Sequence, residues 1–191
     1  MKKVTKEQAE TAIRDILFYI GEDPDREGLK ETPNRIVRMW NEIFRGYNKA
    51  EKPKITTFTN TEHISGIVFD KGTYYSMCEH HMLPFFGQYY FAYIPKENGR
   101  ILGLSKIARV VSYCSAKLQL QERLAKEVVE MLNDALNGEV RGFAILMRGQ
   151  HMCKSMRGVK CQGEMTATYF TGEFNTNKDL KNEFYQLTNT H

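Results

Sequence analysis

Two short runs constrain this chain more than any other feature: Ser76-Met-Cys-Glu-His-His-Met-Leu-Pro84 and His151-Met-Cys153. Between them they hold three of the five histidines and two of the four cysteines. Cys78 and His81 stand three residues apart, a spacing at which a turn directs a thiolate and an imidazole at one ion. His151 and Cys153 stand two apart, and on a strand such residues point to the same side. If both runs serve one cation, the fold must bring residue 78 next to residue 153. A Cys2His set that leaves the fourth position to water is a catalytic zinc arrangement. A fourth side chain, such as His80 or His151, would instead close the shell and make the site structural. Spacing leaves both open.

The other two cysteines read differently. Cys114 lies on the apolar face of a helical pattern and reads as core, and Cys161 has no histidine nearby. Four cysteines in 191 residues are too few for a disulfide framework. The opening MKKVTKEQAE has lysines but no apolar stretch behind them, so no secretory signal is expected and the chain reads as cytoplasmic. No apolar run approaches the roughly 20 residues of a membrane span. Basic residues number 27 against 23 acidic ones, a net charge of +4. That mild excess suits a small anionic ligand; a long nucleic acid would call for a dense basic stripe.

Periodicity supplies the architecture. Thr5-Lys-Glu-Gln8 has the form of a capping box, followed by Ala9, Ile13, Ile16, Leu17 and Ile20 at helical spacing, with Gly21 as the stop. Thr32-Pro33 opens a second helix whose apolar face carries Ile36, Met39, Trp40, Ile43 and Phe44. Residues 1–50 are thus expected to form an N-terminal helical arm and 51–191 the main domain. From Ile55 to Pro95, β-branched and aromatic residues predict two to four strands. A helix pair follows, the first from Ser105 to Leu118 and the second from Leu120 to a stop at Asn137-Gly138. Strands near 141–150 and 164–172 and a terminal helix carrying Leu180, Phe184 and Leu187 complete the order. The expected class is α+β, an antiparallel sheet with the helix pair on one face.

Polar residues cluster around this frame. Ser105-Lys106-Ile-Ala-Arg109 opens a helix, so exposed N–H groups, a hydroxyl at the cap and two cations one turn apart form a phosphate cradle. Arg157 follows Cys153 by four residues, within reach of whatever binds beside the metal. Arg35 and Arg38 lie one turn apart on the second helix. Glu122 can accept two hydrogen bonds from a guanine N1–H and exocyclic amine, and Gln121 can meet the remaining edge. Each of these also has a plain reading as solvated surface or helix-dipole compensation.

Four ordered motifs carry a resemblance: Cys78-Glu-His-His81 with Leu83-Pro-Phe85, Gly103-Leu-Ser-Lys-Ile-Ala-Arg109, Leu118-Gln-Leu-Gln-Glu-Arg-Leu124, and His151-Met-Cys153 with Met156-Arg-Gly158. The chain resembles GTP cyclohydrolase I of the zinc-dependent type IA, from Glu31-Thr-Pro-Asn-Arg35 onward. The resemblance implies a tunnelling fold, in which sheets of neighbouring subunits join into a barrel and two five-membered rings form a homodecamer. It implies Cys78, His81 and Cys153 as Zn2+ ligands, His151 as general acid and His80 as its partner near the ribose. Gln121 and Glu122 are implied as guanine readers, and Ser105, Lys106, Arg109 and Arg157 as triphosphate and ribose contacts. Arg38 stands where the family often has lysine, and because such pockets are built at subunit borders either Arg38 or the Lys106 group would serve a neighbour's site. The implied reaction hydrates and opens the imidazole ring of GTP, releases formate, and rearranges the ribose into 7,8-dihydroneopterin triphosphate. A zinc-stabilised binding protein without turnover, or another pterin enzyme of the same fold, are the readings to separate from this one. Two places depart from the family pattern. Arg148 stands where an acidic residue is common, which changes the expected charge beside the pocket. Lys160-Cys-Gln-Gly-Glu-Met165 is about one residue short, which leaves the register of the last strand open.

Overall fold

The computed structural model describes residues 3–189. They divide into two compact units, one ending at Arg45 and one beginning at Gly46. In the first, helices α1 (Lys6–Tyr19) and α2 (Thr32–Ile43) pair. The capping box at Thr5 forms, with Thr5 Oγ1 accepting from the Gln8 N–H at 3.2 Å and Gln8 Oε1 accepting from the Thr5 N–H at 2.9 Å. The chain leaves α1 through Gly21 at φ 88°, a left-handed conformation that glycine adopts without strain. Helix α2 begins one residue earlier than Thr-Pro predicts. Glu31 is the flanking residue, and Pro33 sits in the first turn, where no N–H partner is lost. The buried stripe of α2 runs through Pro33 and Val37, so Met39, about 200° further round the helix, is 46% exposed instead of packed.

The second unit contains seven strands and five helices: β1 (Thr57–Thr59), β2 (Val68–Cys78), β3 (Pro84–Pro95), β4 (Arg100–Leu102), α3 (Ser105–Ser115), β5 (Leu118–Gln119), α4 (Gln121–Ala135), β6 (Val140–His151), α5 (Met152–Ser155), β7 (Glu164–Phe170), α6 (Glu173–Thr176) and α7 (Lys178–Asn189). Strands β1 and β4 form a separate antiparallel ribbon, and the main sheet has the order β5-β2-β3-β6-β7. The sheet is mixed and not wholly antiparallel as expected. After α3 the chain runs in the direction of β2 and lays Leu118 and Gln119 parallel to Met77 and Cys78 before α4 begins. Strand β7 pairs in regular antiparallel register with β6, Met165 opposite Gly149 and Thr168 opposite Leu146, which settles the open register of the final strand.

Alternation along β3 and β6 divides the core in two. Phe85, Tyr89, Phe91, Phe143, Ile145 and Met147 face Val110, Val111, Leu124, Val128 and Leu132 of the helix pair. The intervening Tyr90, Ala92, Ile94, Ala144 and Leu146 pack with Phe174 of α6 and Phe184 of α7. Helices therefore cover both faces, where the pattern predicts one. The continuous buried runs 89–95 and 142–147 follow from this double cover, because a strand open on one side would show alternation. Among the described residues no helix is long and apolar enough to cross a membrane.

Candidate metal centre

The turn between β2 and β3 is closed by backbone hydrogen bonds of 2.8 Å from Cys78 N–H to Leu83 O and from Met82 N–H to Cys78 O. Met82 takes a positive φ of 52° in that turn. The turn directs Cys78 and His81 to one side. Strand β6 ends at His151, and Cys153 comes from the first turn of α5, so it reaches the site from a helical turn and not by strand alternation. The ligating atoms of Cys78, His81 and Cys153 all lie within 4.8 Å of one another, with the two sulfurs 3.8 Å apart. Two thiolates bound at about 2.3 Å to a tetrahedral ion have sulfurs about 3.8 Å apart, so the two cysteines already have the spacing of such a site and the three donors could hold a metal ion. Among the described residues no fourth side chain completes the group. Burial and the neighbouring Cys78 sulfur hold the Cys153 thiol above its usual pKa, a cost that a bound cation would remove.

An ion pair behind the turn was not evident from sequence. Arg123 binds Glu79 through Nη2 at 2.5 Å and also donates to Gln119 Oε1 at 2.8 Å and Leu118 O at 3.0 Å. Glu79 lies between Cys78 and His80, so this guanidinium ties their turn to the start of α4. The residues stand in the quoted motifs, but nothing in local spacing pairs positions 79 and 123.

Two residues before Cys153, His151 is half-buried and stacked on Phe85, its cross-strand partner, with centroids 4.5 Å apart and planes 7° apart. Its Nε2 lies 2.8 Å from Gln121 Oε1. Burial holds the His151 imidazole below its usual pKa; the Glu122 carboxylate opposes the shift and Lys154 adds to it. Exposed His80 has Nδ1 3.9 Å from Cys78 Sγ, and its ring meets that of His81 edge-on. Exposed Arg157 has Nη1 2.9 Å from His81 Nε2. Direct contacts thus join the expected residues in two sets, Cys78, His80, His81, Cys153 and Arg157 in one and Gln121 with His151 in the other.

The other expected residues make none of these contacts. Glu122 is exposed in the first turn of α4. Ser105, Lys106 and Arg109 lie on α3, and their side chains make no hydrogen bond or ion pair among the described residues. Ser105 is the first helical residue and Leu104 occupies the cap, so the expected hydroxyl cap is absent. Arg38 is exposed on α2 in the first unit. Arg148 faces away from His151, with its guanidinium 5.7 Å from the Tyr90 ring centroid. Burial pushes the Cys114 thiol up to about 12, as befits a core cysteine.

The family model described as GTP cyclohydrolase I matches residues 9–189 of the chain. The GTP cyclohydrolase 1 of Caldanaerobacter subterraneus subsp. tengcongensis is 45% identical over 188 residues, covering 98% of each protein. That of Clostridium perfringens is 44% identical over 186 residues, 96% of this chain and 98% of the relative. The bifunctional protein FolKE of Lactococcus lactis subsp. cremoris is 43% identical over 188 residues, which cover 97% of this chain and 53% of that protein.

Proposed function

The chain belongs to the GTP cyclohydrolase I family, and from this premise we propose that it converts GTP to 7,8-dihydroneopterin triphosphate and formate, the first step of pterin, folate or deazapurine synthesis, at a zinc site formed by Cys78, His81 and Cys153. The observation that carries the reading is the convergence of those three donors within 4.8 Å, with His151 fixed beside them. When bound, zinc supplies Lewis acidity that brings the pKa of a coordinated water near 7.

The chain's own residues do the rest. Glu122, exposed at the start of α4, accepts from the guanine N1–H and exocyclic amine; Gln121, implied as its companion reader, turns inward to His151. Ser105, Lys106, Arg109 and Arg157 hold the triphosphate and ribose. The phosphates serve as an anchor that fixes the ring near the metal and take no part in the chemistry. His151 protonates N7 of the base, which makes C8 electrophilic, and His80 acts beside it near the ribose. A depressed pKa makes the His151 imidazolium a stronger acid than a free one.

We read residues 51–191 as a tunnelling-fold catalytic domain and residues 1–50 as a helical arm of a cytoplasmic homodecamer. In it, Arg38 or the Lys106 group would serve a neighbour's site. The two sheet edges, β5 and β7, support joining to neighbouring sheets, since unpaired edges seek partners. Sedimentation tests the assembly. The activity is tested by incubating zinc-replete protein with GTP and measuring formate and, after oxidation, a fluorescent pterin. Formate is expected; its absence at full zinc occupancy overturns the reading. His151→Ala is expected to abolish turnover with zinc retained, and loss of zinc in that variant would make His151 a ligand.

A further inference from the structure

Gln121 is 1% exposed, and every polar atom of its side chain is engaged. Its Nε2 donates to the backbone carbonyls of Met147 at 2.7 Å and Met165 at 3.0 Å, one on each of the paired strands β6 and β7. Two carbonyl acceptors fix which end of the amide is nitrogen, because the flipped amide would set its oxygen against both. The oxygen, Oε1, is therefore the atom 2.8 Å from His151 Nε2. An amide oxygen only accepts, so His151 Nε2 must carry a proton. The ring lies flat on fully buried Phe85, which holds its plane, and a flip within that plane would set a carbon in place of Nε2 against Gln121 Oε1. Gly149 supplies the room: a Cβ there would come 2.3 Å from the Tyr74 hydroxyl and 3.1 Å from Gln121 Oε1.

We propose that Gln121 is a positioning residue that keeps the proton on Nε2 of His151, leaving Nδ1 as the nitrogen that exchanges a proton with substrate, and that its side chain does not read the base. The role of Nδ1 rests on the GTP reading above; the assignment of the Nε2 proton does not. In the forward step the Nδ1–H bond breaks and an N–H bond forms on the substrate, while the Nε2–H to Gln121 hydrogen bond persists. The neutral ring left behind is the tautomer that Gln121 selects. A histidine whose neutral tautomer is selected by its neighbour needs no reorganisation between turnovers.

Two measurements test this on the zinc-loaded enzyme. Nitrogen-15 NMR of histidine-labelled protein, with His151 assigned from the His151→Ala spectrum, is expected to show neutral His151 protonated at Nε2. An Nδ1-protonated ring overturns the proposal whether or not the enzyme turns over GTP. Gln121→Met keeps the side chain's bulk without its hydrogen bonds. It is expected to lower kcat by about 10²- to 10⁴-fold, the range of a general acid, with the GTP dissociation constant within about twofold of the parent and zinc content unchanged. If the variant instead binds GTP weakly, loses discrimination between guanine and hypoxanthine nucleotides and keeps kcat, Gln121 is a base reader and the proposal falls. If Gln121→Met does not fold, the NMR result on the parent decides alone. Absence of formate from the parent enzyme would sink the GTP reading and leave the tautomer result standing.

Discussion

The two faces of the central sheet differ in what lies behind them. On one, Cys78, Phe85 and His151 rest against the helix pair, and the first residue of α4, Gln121, reaches a strand-end histidine with a hydrogen bond. On the other, alternate residues of the same strands reach solvent at the same end of the sheet. Tyr75 is 73% exposed and merely stacked on Phe86 at 5.8 Å, and Arg148 has the Tyr90 ring beside it. A strand presents side chains equally to both sides. On the side backed by a helix start, His151 also meets a polar partner from a separate element, Gln121. The contrast also explains why Arg148 does not set the charge beside His151. It stands three residues from His151, an odd separation on a strand, and so belongs to the opposite face.

The contrast is broken first at the ligands. Cys78→Ser or Cys153→Ala is expected to remove zinc and to lower formate production by well over the roughly 100-fold that outer partners of a metal site cost, while Tyr75→Ala on the opposite face leaves zinc stoichiometry unchanged. Chelation followed by air exposure is expected to join Cys78 and Cys153, whose sulfurs are already 3.8 Å apart, in a disulfide. Peptide mass mapping that finds only free thiols would refute this.

Core truncation compares the faces by stability. Phe91→Ala, at a fully buried position against the helix pair, is expected to cost about 3–5 kcal/mol in denaturant unfolding. Tyr75→Ala is expected to change stability by no more than about 0.5 kcal/mol. A larger loss at Tyr75 would mean that the assembled enzyme covers the second face.

Arg123→Ala is expected to weaken zinc binding by roughly 10- to 100-fold, read by competition with a chelator, because Glu79 then no longer anchors the ligand turn. Unchanged affinity would show that the turn is rigid without the pair.

The smallest effect belongs to the exposed pair that ties α6 to the far end of β6. Arg141 donates to Glu173 at 2.7 and 2.6 Å and holds its carboxyl below the usual range. A depressed carboxyl contributes stability above its unfolded pKa and loses it as pH falls through the folded value. Glu173→Gln is therefore expected to leave stability at pH 7 nearly unaltered and to flatten the acid side of the unfolding profile. An acid limb identical to the parent's would remove the pair from the account.

Much of the fold was legible because its signals are local. The capping box at Thr5, the stop at Asn137-Gly138 and the helical spacing of Leu124, Val128 and Leu132 need no distant partner to be recognised. The grouping of Cys78, His81 and Cys153 was legible because few side chains are able to bind a metal ion and the spacings within each run are short. The parallel strand β5 was not, since two residues carry no period. The second helical cover was missed because a buried run such as Tyr90–Ile94 is equally compatible with strand or helix core until its neighbours are known. Glu79 with Arg123, and Phe85 with His151, are paired only by the register of the sheet and the seat of α4.

The amino-acid sequence alone determined which side chains are able to bind a metal, where helices begin and end, and which strand residues alternate, because each follows from residue type and near-neighbour geometry. Tertiary structure decided what His151 Nε2 meets and what holds the turn that carries Cys78 and His81. Those are settled by donor and acceptor atoms from separate segments meeting at 2.5–3.0 Å, and such meetings exist only once strands and helix starts have packed together.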